Sequence, residues 1–414
     1  MPPESLVSPF VGVVRGIQDV LAGPEDIRLA TAWCESAFPH ALVGGGSGPT
    51  MRDARTAAIG EAIERYCACI VDPDACVVAS ARELGSRAVD PARFALFSEE
   101  QYRTSGFPYV RFERDTQLAW IEGVSLPEGE PAWLPAQLVH LAGHEDELPI
   151  CRTTSSGLAC HASVAEATVA ALLELLERDA FMITWKARIV WPLLEWSGNE
   201  PLAAFERAYL RPTGLHWSAI DLSAFWDIPI VAAVVRGGET VGVGAAGAVT
   251  AERAVTKALD EATRVRTWAS ALRTQGRDAL SADEIEEFDD HVRFYADPLN
   301  APRVRFIDSS ERRRRVESVP TVRGATPEAR IETICRRLAR RRVTAYAVEV
   351  TTADVREAGL AVVRVIAPEL CALDVEHAAR LHGGARLYDE PARLGMRARR
   401  LREHELNPDP HPFP

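Results

Sequence analysis

Two stretches of this sequence decide its interpretation: AAIGEAIER at residues 57–65 and AALLELLER at residues 170–178. Both contain the pattern Glu-x-x-Glu-Arg. Residues three and four positions apart lie on one face of an α-helix, about 5–6 Å from each other. Each stretch therefore predicts a helix that presents two carboxylates and one guanidinium together: Glu61, Glu64 and Arg65 on the first, and Glu174, Glu177 and Arg178 on the second.

The neighbours of both motifs are apolar, which predicts that the two helices are buried. The alternative is an exposed salt bridge, which contributes only about 0.2–0.5 kcal/mol on a helix. We favour the buried site because the pattern occurs twice in apolar surroundings. The match is short, so it indicates a reused site more than a duplicated domain. Small alanines precede the acids by one or two turns: Ala54, Ala57 and Ala58 in the first helix, and Ala167, Ala170 and Ala171 in the second.

Carboxylates in such helices need a compensating charge. Desolvation raises the pKa of a buried acid by up to about 3–5 units, and each unit corresponds to about 1.4 kcal/mol. Two such helices in contact would place four glutamates against two arginines, which leaves the pocket short of positive charge. Magnesium prefers carboxylate and phosphate oxygens in octahedral geometry. The pattern therefore favours a site for magnesium together with a phosphate-bearing ligand.

A third helix and one residue near the second motif extend this candidate site. The segment ERAVTKALDEATRVRTW at 252–268 carries Glu261 and Arg266 beside alanines. Arg266 is either a phosphate ligand or a surface arginine. Glu166 lies about two turns before Glu174 on roughly the same side, so it could reach the ribose or base of a nucleotide. As a first-turn residue it could instead interact only with the helix dipole.

The order of predicted elements indicates an α+β (mixed α/β) fold. Helices are predicted near 24–36 and at 49–70, 164–185, 250–272 and 327–342. Strands are predicted for the segments VGVVRG, CVVAS, QLAWIEGVSL, IPIVAAVVRG, TVGVGAAG, VRFID, VTAYAVEV and AVVRVIAP.

The composition is that of a globular protein that does not bind nucleic acid. The chain has 414 residues, of which 47% are hydrophobic, and its formal net charge of −12 opposes phosphate backbones. No segment approaches the roughly 18 unbroken apolar residues of a membrane span, and the first residues lack a signal-peptide pattern. We therefore expect a cytoplasmic protein. The eight cysteines have no zinc-ligand spacing, which predicts reduced thiols.

Taken in order along the chain, these segments resemble the YcaO family. The resemblance covers most of residues 7–414 and implies a fold unrelated to kinases and P-loop proteins, with ATP held between helices. It also implies three parts: an N-terminal strand and helix segment (1–45), a YcaO catalytic domain (46–400) and a proline-rich tail (401–414). The segments that carry the resemblance are 8–16, 44–68, 153–181, 254–266, 343–368 and 383–395.

The resemblance assigns roles by position. It implies that magnesium and ATP are bound by Glu61, Glu64, Glu174 and Glu177, and that the nucleotide also contacts Glu166, Arg65, Arg178, Arg266 and Ser156. Four positions depart from the family's pattern. Ser47 stands where lysine is usual, Ala57 where serine is common, Ser156 where asparagine is usual, and Arg264 where glutamine is expected. None of these departures touches the two Glu-x-x-Glu-Arg motifs.

The family's chemistry is the activation of a backbone amide, in which ATP phosphorylates the amide oxygen. In the azoline-forming branch, a Cys, Ser or Thr side chain of a ribosomally made precursor peptide then attacks, which gives a thiazoline or oxazoline. The enzyme needs no nucleophile of its own. The sequence agrees with this, because it contains no convincing Cys–His or Ser–His–Asp signature.

The tail NPDPHPFP at 407–414 selects the branch. It is similar to the Pro-x-Pro-x-Pro terminus of azoline-forming cyclodehydratases in thiazole/oxazole-modified microcin pathways. Pro410, Pro412 and Pro414 favour an extended, stiff segment. The resemblance implies that this tail enters the active site, and we predict that the carboxylate of Pro414 accepts a proton there. The alternatives are a disordered end or a polyproline ligand for a partner's groove.

The resemblance also implies partners. We expect a precursor peptide and, since no E1-like domain precedes the motifs, a separate E1-like or leader-peptide-binding protein. A flavin-dependent azoline dehydrogenase and a homodimer are further candidates. Two other functions stay open at this point. One is thioamide or macroamidine formation at the same ATP site, and the other is a non-catalytic scaffold that binds the peptide.

Overall fold

The computed structural model describes residues 3–23, 25–36, 43–143, 146–276 and 280–413, which form three β-sheets and eleven α-helices. The strands, in chain order, are β1 (Val14–Val20), β2 (Ala30–Ser36), β3 (Val43–Gly48), β4 (Cys76–Ala79), β5 (Leu118–Leu126), β6 (Pro131–Pro135), β7 (Leu158–His161), β8 (Leu193–Glu195), β9 (His216–Asp221), β10 (Ile230–Gly237), β11 (Thr240–Gly247), β12 (Arg313–Arg315), β13 (Ala345–Glu349) and β14 (Ala361–Ile366).

The helices differ widely in length, and the three longest carry the acids singled out above. They are α1 (Met51–Cys69), α2 (Ala81–Leu84), α3 (Glu99–Arg103), α4 (Ala136–Val139), α5 (Val164–Lys186), α6 (Glu200–Phe205), α7 (Ala251–Thr274), α8 (Phe288–Ala296), α9 (Pro327–Ala339), α10 (Ala353–Glu357) and α11 (Arg386–Arg393).

The first sheet has the order β1-β2-β3, and all its pairs are antiparallel. The second has the order β11-β10-β9-β8-β12, and the third has the order β4-β5-β13-β14-β7, with β6 paired to β5. Helix α5 packs against β7 and β14 of the third sheet and against β10 and β11 of the second. It is therefore the central helix of the molecule, and the largest hydrophobic cluster surrounds it.

An antiparallel meander followed by a long helix occurs twice. Strands β1, β2 and β3 lead into α1, and strands β9, β10 and β11 lead into α7. Thr50 caps α1 and Thr250 caps α7, each through its side-chain oxygen. Within the helices, equivalent residues stand two hundred positions apart: Ala54 and Ala254, Ala58 and Ala258, Glu61 and Glu261, and Ala62 and Ala262.

Glycines bring each helix unusually close to its preceding strand. A Cβ atom at Gly44 would overlap the carbonyl oxygen of Ala58, and one at Gly244 would lie 2.8 Å from the carbonyl oxygen of Ala258. Only glycine on the strand and alanine on the helix allow this approach. The two units therefore share their packing as well as their topology.

The structure confirms the mixed helix and sheet class, and it confirms the helices predicted at 49–70, 164–185, 250–272 and 327–342 to within a few residues. Two predictions are wrong. The segment near 24–36 contains strand β2 instead of a helix, because alternating Ala32, Cys34 and Ser36 face α1. The segment VRFID at 304–308 forms turns, although its apolar side chains Val304 and Ile307 are buried as expected.

Across the described ranges, none of the helices combines the length and the apolar character that crossing a membrane requires.

Candidate functional site

The acids of the first motif are held by main-chain N–H groups of neighbouring strands. Glu61 accepts a hydrogen bond from the N–H of Gly45 on β3 at 2.7 Å and pairs with Arg65 at 2.6 Å. Glu64 accepts from the N–H of Cys160 on β7 at 2.8 Å. Arg65 also donates to the carbonyl of Val43. The first motif is thus fixed to two different sheets.

The acids of the second motif lie deeper. The side chain of Glu177 is 7% exposed and accepts a hydrogen bond from the N–H of Gly247 on β11 at 2.9 Å. Arg178 lies 3.0 Å from Glu177 and 3.4 Å from Glu174. The burial predicted for the motif helices is confirmed here and for Ala54 and Ala58 on α1, whereas Ala57 is exposed.

A fifth glutamate joins these four. Glu261 on α7 accepts from the N–H of Ala245 on β11 at 2.9 Å, as its counterpart Glu61 does from Gly45. Three residues further on, Arg264 lies on the same face of α7. Neither residue was predicted from the sequence to belong to the site: Glu261 had no assigned role, and Arg264 was only a departure from the family's pattern. The signal that could have found both is the Ala-x-x-x-Ala-x-x-Glu-Ala pattern shared by 54–62 and 254–262.

Burial raises the pKa of four of these carboxyl groups: Glu64, Glu174, Glu177 and Glu261, the last to about 7. Desolvation is the largest cause in each case, and neighbouring acids add to it for Glu64, Glu177 and Glu261. Glu61 and Glu174 both repel the charge of Glu64, Glu174 repels that of Glu177, and Glu177 repels that of Glu261. Arg264 interacts with both Glu261 and Glu61. These six side chains therefore influence one another's pKa values, and we call the five glutamates and Arg264 together the glutamate ring.

More positive charge surrounds the ring than the sequence suggested. Lys257 on α7 and Arg364 on β14 act on Glu174 in addition to Arg178. Burial lowers the pKa of Arg364 to about 10. Arg364 is held by the carbonyl oxygens of Leu138 and Thr154 at 3.1 and 2.8 Å. The expected shortage of positive charge is smaller than predicted, yet the raised pKa values show that desolvation still outweighs these cations.

The ring does not form a complete metal cage by itself. Within the described part of the chain, no group of three or more His, Cys, Asp or Glu side chains is arranged to hold a metal ion. Magnesium in nucleotide sites is usually held by one or two carboxylates, with waters and phosphate oxygens as the remaining ligands. The donor set of the ring fits that arrangement, because its acids are hard oxygen ligands whose pKa values a cation would lower.

Three predicted nucleotide ligands are not brought to the ring by any described contact. Arg266 is five positions from Glu261, so it points elsewhere, and it binds Glu25 and the carbonyl of Gly237. Glu166 takes part in the N-terminal cap of α5 with Ser163. Ser156 is buried just before β7, where its N–H donates to Thr154. Their assignment stays a prediction.

The tail packs along α5 in the opposite direction. The N–H of Asn407 donates to the carbonyl of Lys186 at 2.7 Å, and the indole of Trp185 donates to the carbonyl of Asp409 at 3.0 Å. Pro410 and Pro412 are buried, and Tyr295 donates to the carbonyl of Pro410 at 2.7 Å. The tail is therefore part of the protein interior over these residues.

The tail reaches the second motif through Phe413. This side chain is fully buried, and its ring centroid lies 5.0 Å from that of Phe181 and 4.2 Å from the guanidinium carbon of Arg178. His411 anchors it by a hydrogen bond to the carbonyl of Asp374 at 2.7 Å. Pro414, the predicted proton acceptor, lies outside the described residues. The sequence analysis missed Phe413 because it concentrated on the prolines.

Paired glutamates and arginines between buried helices define a class of protein that binds magnesium and a nucleotide without a P-loop. The sequence matches the family model described as YcaO cyclodehydratase, ATP- and Mg²⁺-binding, over residues 45–371. The chain belongs to the YcaO family, and ATP and Mg²⁺ are the cofactors of that family. Among curated proteins, none matches this chain.

Solved structures share the fold. A heterocyclase in complex with substrate and cofactor has a TM-score of 0.82 at 22% identity, covering 100% of this chain and 57% of that one. The heterocyclase TruD has a TM-score of 0.69 at 23% identity, over 87% of this chain and 50% of that one. The YcaO protein from Methanopyrus kandleri, bound with AMPPCP and Mg²⁺, has a TM-score of 0.63 at 22% identity, over 89% and 88%. This chain thus spans only about half the length of the first two.

Proposed function

We propose that this chain catalyses the ATP-dependent cyclodehydration of Cys, Ser or Thr residues in a ribosomally made precursor peptide, which gives thiazolines or oxazolines. The observation that carries the proposal is the glutamate ring between α1, α5 and α7. Membership of the YcaO family supports it. Likeness to structures titled as heterocyclases supports the fold on which the site is built.

In this proposal, Glu61, Glu64, Glu174 and Glu177 hold magnesium together with phosphate oxygens. ATP supplies a phosphoryl group to the amide oxygen of the peptide, so that phosphate, instead of water, leaves when the ring closes. Arg65 and Arg178 orient the phosphates, since guanidinium groups donate two parallel hydrogen bonds to such anions.

The tail is proposed to complete the site. The contact between Phe413 and Arg178 supports this, because it brings the tail against a motif arginine. The buried positions of Pro410 and Pro412 argue against their use as an exposed polyproline ligand. The proton-accepting role of Pro414 stays a prediction.

The proposal includes a separate protein that binds the leader part of the precursor. Support comes from a structure titled E. coli Microcin synthetase McbBCD complex, which this fold matches with a TM-score of 0.59 at 14% identity, over 86% of this chain and 88% of that one. A related structure is titled as the same complex with pro-MccB17 bound. The proposal also includes a partner azoline dehydrogenase, a homodimer and a cytoplasmic location.

Mass spectrometry of the candidate precursor tests the reaction. The chain is incubated with precursor, partner protein, ATP and Mg²⁺, and we expect the loss of one water mass for each ring formed. A mass gain that corresponds to the exchange of oxygen for sulfur would instead indicate thioamide formation. An unmodified precursor with intact binding would indicate a scaffold.

The matched control is the double variant Glu61→Gln/Glu174→Gln, which keeps side-chain shape but removes two charges of the ring. We expect ATP consumption to fall by about 10²–10³-fold, as when groups that stabilise transferring phosphates are removed. Unchanged ATP consumption in the folded double variant would refute the proposed role of the ring.

A further inference from the structure

Arg264 is placed where it can meet a ligand of the glutamate ring. It belongs to α7, three positions after Glu261, and its side chain is 38% exposed. A Cβ atom at Gly45 would lie 4.0 Å from Nη1 of Arg264 and 3.8 Å from Oε2 of Glu61. Nη1 of Arg264 therefore reaches the gap between α1 and α7, near the carboxylate of Glu61.

The electrostatics of Arg264 indicate a fixed charge. Desolvation lowers the pKa of Arg264, but Asp260, Glu261 and Glu61 together outweigh it, so the pKa lies above its usual value. Its Nε lies 3.4 Å from Asp260 and has no hydrogen-bond partner among the residues that the structure describes. The guanidinium thus stays charged while part of its hydrogen-bonding capacity is unused.

The internal repeat shows what is unusual about this arginine. Glu61 on α1 and Glu261 on α7 are equivalent, and each accepts a hydrogen bond from the adjacent strand. With the same offset of two hundred residues, Arg264 on α7 corresponds to Glu64 on α1. One unit therefore offers two carboxylates to the pocket, and the other offers one carboxylate and one guanidinium.

We propose that this exchange gives the pocket its polarity: the Glu61 and Glu64 half-site faces the cation, and the Glu261 and Arg264 half-site faces a phosphate group of the nucleotide. The inference rests on the proposed ATP site and adds a phosphate-binding residue to it. Carboxylates and phosphates repel each other, so a ring of glutamates alone would oppose the anionic end of the ligand. Arg264 removes that repulsion on one side only.

The strand next to Arg264 supports the same conclusion. Ser47 on β3 donates to Asp260, the carboxylate that also lies beside Arg264. A side chain at 47 and a side chain at 264 therefore meet at one point, although they come from different units of the fold. A basic side chain at position 47 on β3 or at position 264 on α7 would place a cation beside Asp260. In this chain the cation is Arg264 on the helix.

Equilibrium binding of a fluorescent, non-hydrolysable ATP analogue with Mg²⁺, without peptide, tests the inference. We expect Arg264→Gln to weaken binding by about tenfold to a hundredfold, as for loss of a charge-assisted hydrogen bond to phosphate. Arg264→Lys keeps the charge and should stay within about fivefold of the wild type. Arg273→Gln is the matched control, because Arg273 lies on the same helix, pairs with Glu239 at the surface and should leave binding unchanged.

Reciprocal rescue sharpens the test. The double variant Ser47→Lys/Arg264→Gln returns a cation to the same point from the strand, so it should recover most of the lost affinity. Thermal unfolding confirms that each variant is folded. Wild-type-like binding by folded Arg264→Gln, or failure of the rescue, would overturn the inference. A wild-type protein that binds no nucleotide would overturn the proposed ATP site as well.

Discussion

The two Glu-x-x-Glu-Arg helices share a sequence pattern but not an environment. On α1, the side chains of Glu61 and Arg65 are 35% and 30% exposed and form a close pair at 2.6 Å. On α5, Glu177 and Arg178 are 7% and 15% exposed, and the ring of Phe413 covers the guanidinium. On α1 the Glu61–Arg65 pair is partly exposed, whereas on α5 the tail covers Arg178 and leaves Glu174 27% exposed.

The difference follows from position in the fold. Helix α1 packs between the first sheet and one side of the core, whereas α5 is surrounded by two sheets and the tail. A partly exposed salt bridge contributes little to stability. Removing one partner of a buried salt bridge is strongly destabilising, because it leaves the other charge buried and unpaired. The same motif therefore occurs in two settings. In the proposed site both copies bind the ligand, but only the α5 copy also depends on the tail for its geometry.

The largest expected effect separates the two arginines. At pH 8, Arg178→Ala should lower the free energy of unfolding by about 3–5 kcal/mol, because it leaves Glu177 buried without its partner. Arg65→Ala should cost about 1 kcal/mol or less, because Glu61 can be hydrated. Urea denaturation measures both. Equal losses for the two variants would show that the copies do not differ as described.

The second largest expected effect is the pH dependence of stability that comes from Glu261. Burial raises the pKa of Glu261 to about 7 in the folded protein, above its unfolded value. Its neutral form therefore favours folding below pH 4.5, and this contribution is lost as pH rises through 7. Glu261→Gln should gain about 1–3 kcal/mol of stability relative to the wild type between pH 5 and pH 8.

The difference between variant and wild type is the quantity to measure. Buried His377 and His382 have pKa values lowered by desolvation to about 4 and about 3, so their contributions change with the opposite sign below pH 6.5. They are the same in both proteins and cancel. A variant whose advantage does not grow with pH would contradict the raised pKa.

A smaller effect tests the seal on α5. Phe413→Leu should weaken nucleotide binding by up to about thirtyfold, since a desolvated cation–π contact contributes roughly 2 kcal/mol. Phe181→Leu removes a similar ring that touches Phe413 instead of Arg178. Phe181→Leu should destabilise the fold about as much as Phe413→Leu does. It should nevertheless keep the nucleotide affinity within about twofold of the wild type. Equal affinity losses in the two variants would mean that Phe413 acts only through packing.

The smallest effect tests the repeat. Thr50→Ala and Thr250→Ala each remove the side-chain cap of a helix and should each cost about 1 kcal/mol of stability. Calorimetry should show equal losses to within a few tenths of a kcal/mol, with nucleotide affinity unchanged. A change in affinity would show that the helix starts, and not only the acids, set the pocket.

Much of the site could be predicted from the sequence because helical spacing is local. Glu61, Glu64, Glu174 and Glu177 need only the rule that positions three and four apart share a face. The same rule, applied to α7, separates Arg264 from Arg266, whose side chains point to different neighbours. Helix position left Arg266 as either a phosphate ligand or a surface arginine, the resemblance favoured the first, and the structure gives it a partner in Glu25.

Contacts between distant segments could not be predicted in this way. Phe413 meets Arg178 across more than two hundred residues, and no local pattern at either position indicates the pairing. The segment of strand β2 was interpreted as a helix because its alternation of buried and exposed residues extends over only seven residues. The repeat of β-meander and helix could not be predicted either, since its strands share few identities and its helices agree only at three alanines, one threonine and one glutamate.

The close approach of Gly44 and Gly244 to their helices also bears on which ion the pocket selects. Main chain meets main chain at these points, so no side-chain rotation can absorb a change in spacing. Glu61, which we place at the cation, is further fixed by the N–H of Gly45 on the same strand as Gly44. Calcium needs oxygen ligands at about 2.3–2.6 Å, compared with about 2.0–2.1 Å for magnesium. We therefore expect the backbone itself to discriminate by ionic radius and to favour the smaller ion.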